Sequence, residues 1–128
     1  MKKILIADDQ LGWRNYNTQA VYEVLGKDTV VVTADSAQEG YSLLLEHNSA
    51  PFDIILTDMQ MEDDYAPKMA GEWLIEQAKN LPAYLNTKII IISASMQSKF
   101  IAEHYGVEYL PKSTAMHSLE AYKTLLAS

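Results

Sequence analysis

The sequence predicts an α/β fold, a three-layer sandwich in which a parallel β-sheet is covered on both faces by helices. Two observations lead to this prediction. Short runs rich in Ile and Val recur along the 128 residues without alternating polar residues, which is typical of strands buried on both faces of a parallel sheet. The segments between these runs carry apolar residues at helical spacing. Strand and helix thus alternate about five times, as in α/β domains.

Five strands are predicted from the apolar runs, of which the last is the weakest. The runs occupy residues 4–7, 30–32, 54–56, 89–92 and 107–110. No internal repeat, low-complexity tract or linker separates them, so we interpret residues 1–128 as a single domain. A chain of 14.4 kDa buries about two-thirds of its surface on folding, which is enough for a core without disulfides.

Capping residues support the helices predicted between these strands. Ser36 and Glu39 have the spacing of a capping box, in which each side chain bonds the backbone of the other. Ser95 and Ser113 are predicted to cap later helices, and Gly26 to end the first. The apolar stripes of four predicted helices contain these residues: Tyr16, Ala20 and Val24; Ala37, Tyr41, Leu44 and Leu45; Leu74, Ile75 and Ala78; Met116, Leu119, Tyr122 and Leu126.

One connection is longer than the others. The segment between Asp58 and Gly71 exceeds the usual length of about 2–6 residues for a βα loop. We interpret residues around 62–69 as an acidic insertion. Loops of this length are often functional, but a tolerated surface insertion is at least as common.

Composition excludes several classes of protein. The net charge of −7 argues against direct binding of nucleic acid by the general surface. The absence of Cys excludes disulfides, thiolate zinc sites and a Cys nucleophile. No apolar run approaches the ~20 residues that span a bilayer, so we expect no membrane partner and a cytoplasmic location.

Polar side chains follow four of the predicted strands. Asp8 and Asp9 come after the first strand, Asp58 after the third, Ser93 at the end of the fourth and Lys112 just after the fifth. The carboxyl ends of parallel strands meet at one edge of the sheet, which is where ligands bind in open α/β sheets. A single Asp at such a position is more often a helix cap or a turn former. The joint placement after different strands favours a functional site.

Electrostatics limits what this edge could be. Two carboxylates about 5 Å apart repel by roughly 3 kcal/mol at an effective dielectric constant near 20, so three of them require a cation, a proton or wide separation. Oxygen ligands without Cys or His favour Mg²⁺ over zinc. A carboxylate beside Mg²⁺ and Lys112 is a competent nucleophile toward a phosphoryl group, and Ser93 could donate a hydrogen bond to that group.

At these residues the sequence resembles a response-regulator receiver domain of two-component signalling. The resemblance covers most of the chain, from Ile4 to about Leu126. It implies a flavodoxin-like sheet of strand order 2-1-3-4-5. The segments that carry it are residues 6–9, 56–61, 92–94 and 109–112.

The resemblance also implies roles for individual residues. Asp58 would accept a phosphoryl group from a histidine kinase or a histidine phosphotransfer protein. Asp9 and Asp58 would bind Mg²⁺ directly, Asp8 through a water molecule, and Gln60 through its backbone carbonyl. Such a domain catalyses only its own phosphorylation and dephosphorylation, and is not a turnover enzyme.

Three further roles concern the output of the domain. Ser93 and Lys112 would contact the phosphoryl oxygens. Tyr109 matches the aromatic switch position, which turns inward when the Ser93 hydroxyl is drawn to the phosphate. Phosphorylation would then shift the conformation of the face made by the fourth helix, the fifth strand and the last predicted helix. The downstream effector is not identified by the sequence.

Departures from the family pattern leave alternatives open. Glu62 stands where the family usually has a proline, and Gly71 matches the family glycine only after the insertion. A receiver-like interaction module that is not switched by phosphate is therefore the alternative. An aspartate-nucleophile phosphatase is disfavoured because Gln60 occupies the position of its general acid.

Overall fold

The computed structural model describes residues 1–61, 65 and 68–127. Glu62, Asp63 and Asp64, the acidic side chains of the predicted insertion, lie outside the described residues.

Strands and helices alternate along the chain as predicted, with one additional short helix directly after the last strand. The strands are β1 (Lys3–Ala7), β2 (Val30–Ala34), β3 (Ile54–Thr57), β4 (Lys88–Ser93) and β5 (Glu108–Pro111). The helices are α1 (Leu11–Leu25), α2 (Ala37–Glu46), α3 (Ala70–Lys79), α4 (Ser98–Tyr105), α5 (Lys112–Ala115) and α6 (Leu119–Leu126), with a 3₁₀ turn at Pro82–Tyr84.

All strand pairs in the sheet are parallel, and the order is β2-β1-β3-β4-β5, which confirms the predicted topology. The register aligns the ends of the strands that carry polar residues. Ala7 lies opposite Thr57, so Asp8 and Asp58 follow at the same level. Ser93 lies opposite Pro111, which immediately precedes Lys112. The register therefore directs all four residues to one edge.

Two apolar clusters lie on opposite faces of the sheet. Successive residues of each central strand alternate between the clusters. Leu5 belongs to the cluster that includes residues of α2, α3 and α4, whereas Ile4 and Ile6 belong to the cluster that includes residues of α1, α5 and α6. This explains why the strand sequences are apolar throughout. β2 is less buried than its sequence suggests: Val30 is 38% exposed, because β2 lies at the edge of the sheet.

The predicted capping box is confirmed at α2. Ser36 accepts a hydrogen bond from the Glu39 amide at 3.0 Å. The Glu39 carboxylate accepts one from the Asp35 amide at 2.9 Å, one residue earlier than an ideal box. Gly26 ends α1 with φ of +103°, a conformation that a residue with a Cβ rarely adopts.

The caps predicted at Ser95 and Ser113 are wrong. The Ser95 amide donates to the Ser93 hydroxyl at 3.0 Å, and α4 begins three residues later. Ser113 lies inside α5, and Ser118 caps α6 by accepting from the Ala121 amide at 3.1 Å. Ser95 lies two residues before the N-cap of α4, and Ser113 lies one residue after the start of α5, so neither occupies a cap position. Along the described part of the chain, no helix has the length and apolarity required to cross a membrane.

Candidate functional site

Two buried carboxylates lie side by side at the carboxyl ends of β1 and β3. The Asp58 amide donates to the Ala7 carbonyl at 2.8 Å, and the Asp8 amide to the Ala34 carbonyl at 3.0 Å, which continues the strand pairing through both acids. Asp8 is fully buried and Asp58 is 6% exposed. Asp9 is half-buried, and each of the three acids contributes one oxygen to a group in which all the atoms lie within 4.8 Å of one another. The predicted acidic cluster is therefore present.

Lys112 bridges the two buried acids. Its Nζ lies 3.0 Å from Oδ2 of Asp8 and 3.2 Å from Oδ2 of Asp58. The lysine begins α5, directly after β5, and its side chain is only 10% exposed. An ammonium buried in this way requires negative partners, and the two acids supply them.

The other carboxylate oxygens accept backbone hydrogen bonds. Oδ1 of Asp58 accepts from the Met59 amide at 2.7 Å, and Oδ1 of Asp8 from the Gln10 amide at 2.9 Å. Burial raises the pKa of Asp58, and the negative charge of Asp8 raises it further, while Lys112 and the Met59 amide oppose the shift. Burial and repulsion by Asp8 together affect the pKa of Asp58 more than Lys112 does. The site therefore disfavours the charged form of Asp58.

The donor set fits a hard divalent cation. Among the described residues, only the Lys112 ammonium forms salt bridges with this cluster. One positive charge therefore faces three carboxylates, those of Asp8, Asp9 and Asp58. Oδ2 of Asp8 is buried and has no hydrogen-bond donor among the described residues, only the ionic contact with Lys112. Oxygen donors with an excess of negative charge are those that Mg²⁺ prefers. Gln60 follows in the same loop and is exposed.

Ser93 and Tyr109 are linked through the loop after β4. Ser93 is buried at the end of β4, and its hydroxyl accepts from the Ser95 amide. Tyr109 is half-buried, and its hydroxyl donates to the Ser95 carbonyl at 3.3 Å and contacts the Ser93 carbonyl at 3.5 Å. Burial raises the pKa of Tyr109, so the phenol keeps its proton and remains a donor. A cleft of about 320 Å³ borders both residues and Lys112.

Gly71 has a steric role that the sequence did not reveal. A Cβ at this position would lie 2.0 Å from the Asp58 carbonyl oxygen and 2.7 Å from Cα of Met59. The Gly71 amide donates to the Met59 carbonyl at 2.9 Å. The first turn of α3 therefore packs directly on the backbone that carries Asp58, and only glycine permits this approach.

The contact between Trp13 and Lys112 was also not predicted from the sequence. The Trp13 ring lies beneath the Lys112 ammonium, with 4.9 Å between Nζ and the ring centroid. Trp13 itself is half-buried. Its position just after the acidic pair was the one available signal.

The described part of the insertion lies against α2 and α3. Tyr65 stacks on Trp73 with 4.2 Å between the ring centroids, and Tyr41 of α2 meets the same indole edge-on at 5.5 Å. Lys68 forms a salt bridge of 3.2 Å with Glu76. These contacts anchor residues 65 and 68 on helices α2 and α3.

Comparisons with known proteins agree with this geometry. The family described as "Response regulator receiver domain" matches residues 4–122. Among solved structures, chemotaxis protein CheY4 of Vibrio cholerae has a TM-score of 0.74 at 23% identity, covering 99% of this chain and 97% of that one. The phosphorylated cyanobacterial phytochrome response regulator RcpA has a TM-score of 0.77 at 21% identity, covering 96% and 89%.

A third solved structure has slightly higher sequence identity. A response regulator receiver domain protein from Clostridium thermocellum has a TM-score of 0.69 at 26% identity, covering 98% of this chain and 99% of that one. A search of curated protein sequences gives no significant match. These structures share the fold over nearly the full length of the described sheet and helices.

Proposed function

The chain belongs to the response regulator receiver domain family of two-component systems, and from this premise we propose that it is a phosphoacceptor whose Asp58 receives a phosphoryl group. Receiver domains are in general signalling modules rather than turnover enzymes, and we propose the same for this chain as a single domain. The phosphodonor would be a histidine kinase or a histidine phosphotransfer protein. The observation that carries the proposal is the buried pair of Asp8 and Asp58 bridged by Lys112.

The proposed reaction is transfer of a phosphoryl group to a carboxylate oxygen of Asp58. The new P–O bond forms as the P–N bond to the donor imidazole breaks, and the imidazole leaves with the bonding electron pair and takes up a proton. Lys112 lies 3.2 Å from Oδ2 of Asp58, where its charge would face the oxygens of the incoming group. Ser93 would donate a hydrogen bond to another of these oxygens.

We propose Mg²⁺ as the cofactor of this reaction. Asp9 and Asp58 would bind it directly, Asp8 through water, and Gln60 through its carbonyl. When bound, Mg²⁺ supplies positive charge that neutralises the phosphoryl oxygens. The support is the excess of carboxylate oxygens in the cluster.

Phosphorylation would change the face formed by α4, β5 and α6. The Ser93 hydroxyl bonds the Ser95 amide, and Tyr109 bonds the Ser95 carbonyl. Drawing the Ser93 hydroxyl toward a phosphoryl oxygen would break its hydrogen bond with the Ser95 amide and release the loop after β4. The resulting shift in population is the proposed signal to an effector.

The direct test of the function is incubation with Mg²⁺ and acetyl phosphate. We expect a labile acyl phosphate, detected by intact mass spectrometry and removed by hydroxylamine. A protein that gains no such adduct would contradict the proposal and leave the receiver-like interaction module as the alternative.

The metal site makes a separate prediction for stability. A cation that binds only the folded state raises the free energy of unfolding by about 2.7 kcal/mol when its concentration is 100 times Kd. We expect Mg²⁺ to raise the melting temperature of the protein, and Asp9→Asn to lose most of this increase because a direct ligand is removed. Calorimetry with and without Mg²⁺ measures both effects.

Asp28 offers a control for this prediction because it is exposed and lies at the amino end of β2, whereas the acidic cluster lies at the carboxyl ends of the strands. Asp28→Asn should keep the full Mg²⁺ effect. An Asp9→Asn protein that responds to Mg²⁺ as the unaltered protein does would rule out Asp9 as a ligand.

A further inference from the structure

The Lys112 ammonium is enclosed on three sides. Two sides face Oδ2 of Asp8 and Oδ2 of Asp58, and the third faces the Trp13 ring at 4.9 Å from its centroid. The ring face is electron-rich and attracts a cation, more strongly where water is excluded. With its side chain only 10% exposed, Lys112 meets this condition.

The position of the Trp13 ring is itself held by α1. Tyr16, one turn later, meets the indole edge-on at 5.3 Å between ring centroids. The Tyr16 hydroxyl donates to the Ala115 carbonyl at 2.8 Å, at the end of the short helix that Lys112 begins. Helix α1 therefore contacts this short helix at both ends: the ammonium through Trp13 and the last carbonyl through Tyr16.

The ring contact differs from the two ionic contacts in one respect. When Asp58 accepts a phosphoryl group, one of its oxygens becomes esterified and its carboxylate charge is lost, so the ionic contact with Lys112 changes during the reaction. The Trp13 ring is neutral and unaltered by the transfer. It can therefore hold the flexible lysine side chain in place while the ionic partners are exchanged.

We propose that Trp13 is a positioning residue for phosphoryl transfer, which acts by holding the Lys112 ammonium beside Asp58 through a cation–π contact. This inference rests on the proposed phosphoacceptor function. The half-buried ring packs against one apolar cluster on one side and borders an open cleft of about 310 Å³, lined also by Gly12, Tyr16 and Met116, on another. The test must therefore distinguish the cation–π contact from packing.

The first test varies the electron density of the ring at nearly constant size. Site-specific incorporation of mono-, di- and trifluorotryptophan at position 13 weakens the attraction to a cation in steps. The rate of Asp58 phosphorylation by acetyl phosphate at saturating Mg²⁺ should fall with each fluorine, and Trp13→Leu should lower it roughly three- to thirtyfold. A rate independent of fluorination overturns the proposal, because a purely steric role would give that result.

Trp73 provides the matched control. Its ring stacks on Tyr65 and lies against α2, in the other apolar cluster. The same fluorinated residues at position 73 should leave the phosphorylation rate unchanged. An equal fall at both positions would also overturn the proposal.

The second test measures the contact without any phosphorylation. A ring over the Lys112 ammonium shifts the ε-methylene protons of that lysine upfield in the NMR spectrum, and Trp13→Leu should abolish the shift. If the leucine variant does not fold, Trp13→Phe should reduce the upfield shift without abolishing it, because the phenyl ring has a smaller ring current than indole. Lys3, whose ammonium lies 5.3 Å from the Phe52 ring, should keep its own shift. Absence of the Lys112 shift overturns the positioning role.

The two tests separate this inference from the proposed function. A protein that is phosphorylated at Asp58 but is indifferent to fluorination at position 13 keeps the function and loses the role of Trp13. If the protein is never phosphorylated, both the proposed function and the positioning role of Trp13 in phosphoryl transfer are wrong. The NMR shift of the Lys112 ε-methylene protons still decides whether the cation–π contact exists.

Discussion

Asp58→Asn is expected to abolish phosphoryl labelling of the protein. An amide oxygen is a poor nucleophile and cannot form a stable acyl phosphate, although asparagine has nearly the same shape. Intact mass spectrometry after incubation with Mg²⁺ and acetyl phosphate measures the loss. The effect is large because Asp58 is the carboxylate whose oxygen both contacts Lys112 and, in the proposed reaction, forms the new bond.

The substitution should not unfold the protein. Burial and the charge of Asp8 raise the pKa of Asp58, which means that the folded state disfavours its charged form. A neutral side chain of the same size removes that cost, so without Mg²⁺ the variant should be at least as stable as the unaltered protein. Loss of labelling can then be assigned to the missing nucleophile.

Two outcomes would contradict this assignment. Undiminished labelling of the Asp58→Asn protein would place the phosphoryl group on another residue. Loss of labelling in Asp28→Asn, at the amino end of β2, would show that the assay reports general damage rather than a specific nucleophile.

Gly71→Ala is expected to destabilise the protein by about 3 kcal/mol or more. The added Cβ would lie 2.0 Å from the Asp58 carbonyl oxygen and 2.7 Å from Cα of Met59, and both neighbours are backbone atoms that cannot rotate away. Helix α3 or the loop after β3 has to move. Thermal or urea denaturation measures the loss of stability, and slower phosphorylation should accompany it because the same backbone carries Asp58.

Gly12 supplies the control for this substitution. It lies near the start of α1, where the Cβ of an alanine would have no neighbouring atom within 4 Å, and alanine favours a helix over glycine by up to about 1 kcal/mol. Gly12→Ala should therefore be neutral or stabilising. If both alanine variants prove equally stable, the proposed close packing of Gly71 on the backbone of Asp58 is wrong.

The sequence alone determined the sheet and most of the acidic edge. The central strands are apolar on both faces because helices cover both, and this pattern is readable without coordinates. Parallel strands bring their carboxyl ends to one edge, so Asp8, Asp58 and Lys112 could be placed together from their positions after β1, β3 and β5. Gly71 was recognised only by resemblance, not by its steric role.

The contacts between distant segments could be learned only from the folded chain. The Trp13–Lys112 contact and the approach of Gly71 to the Asp58 carbonyl depend on how α1 and α3 pack on the sheet. The exposure of Val30 depends on β2 being an edge strand, and the predicted cap at Ser95 is wrong because α4 begins only at Ser98. Local patterns record which face of an element is apolar, whereas these contacts arise from the distances between elements, which no local pattern encodes.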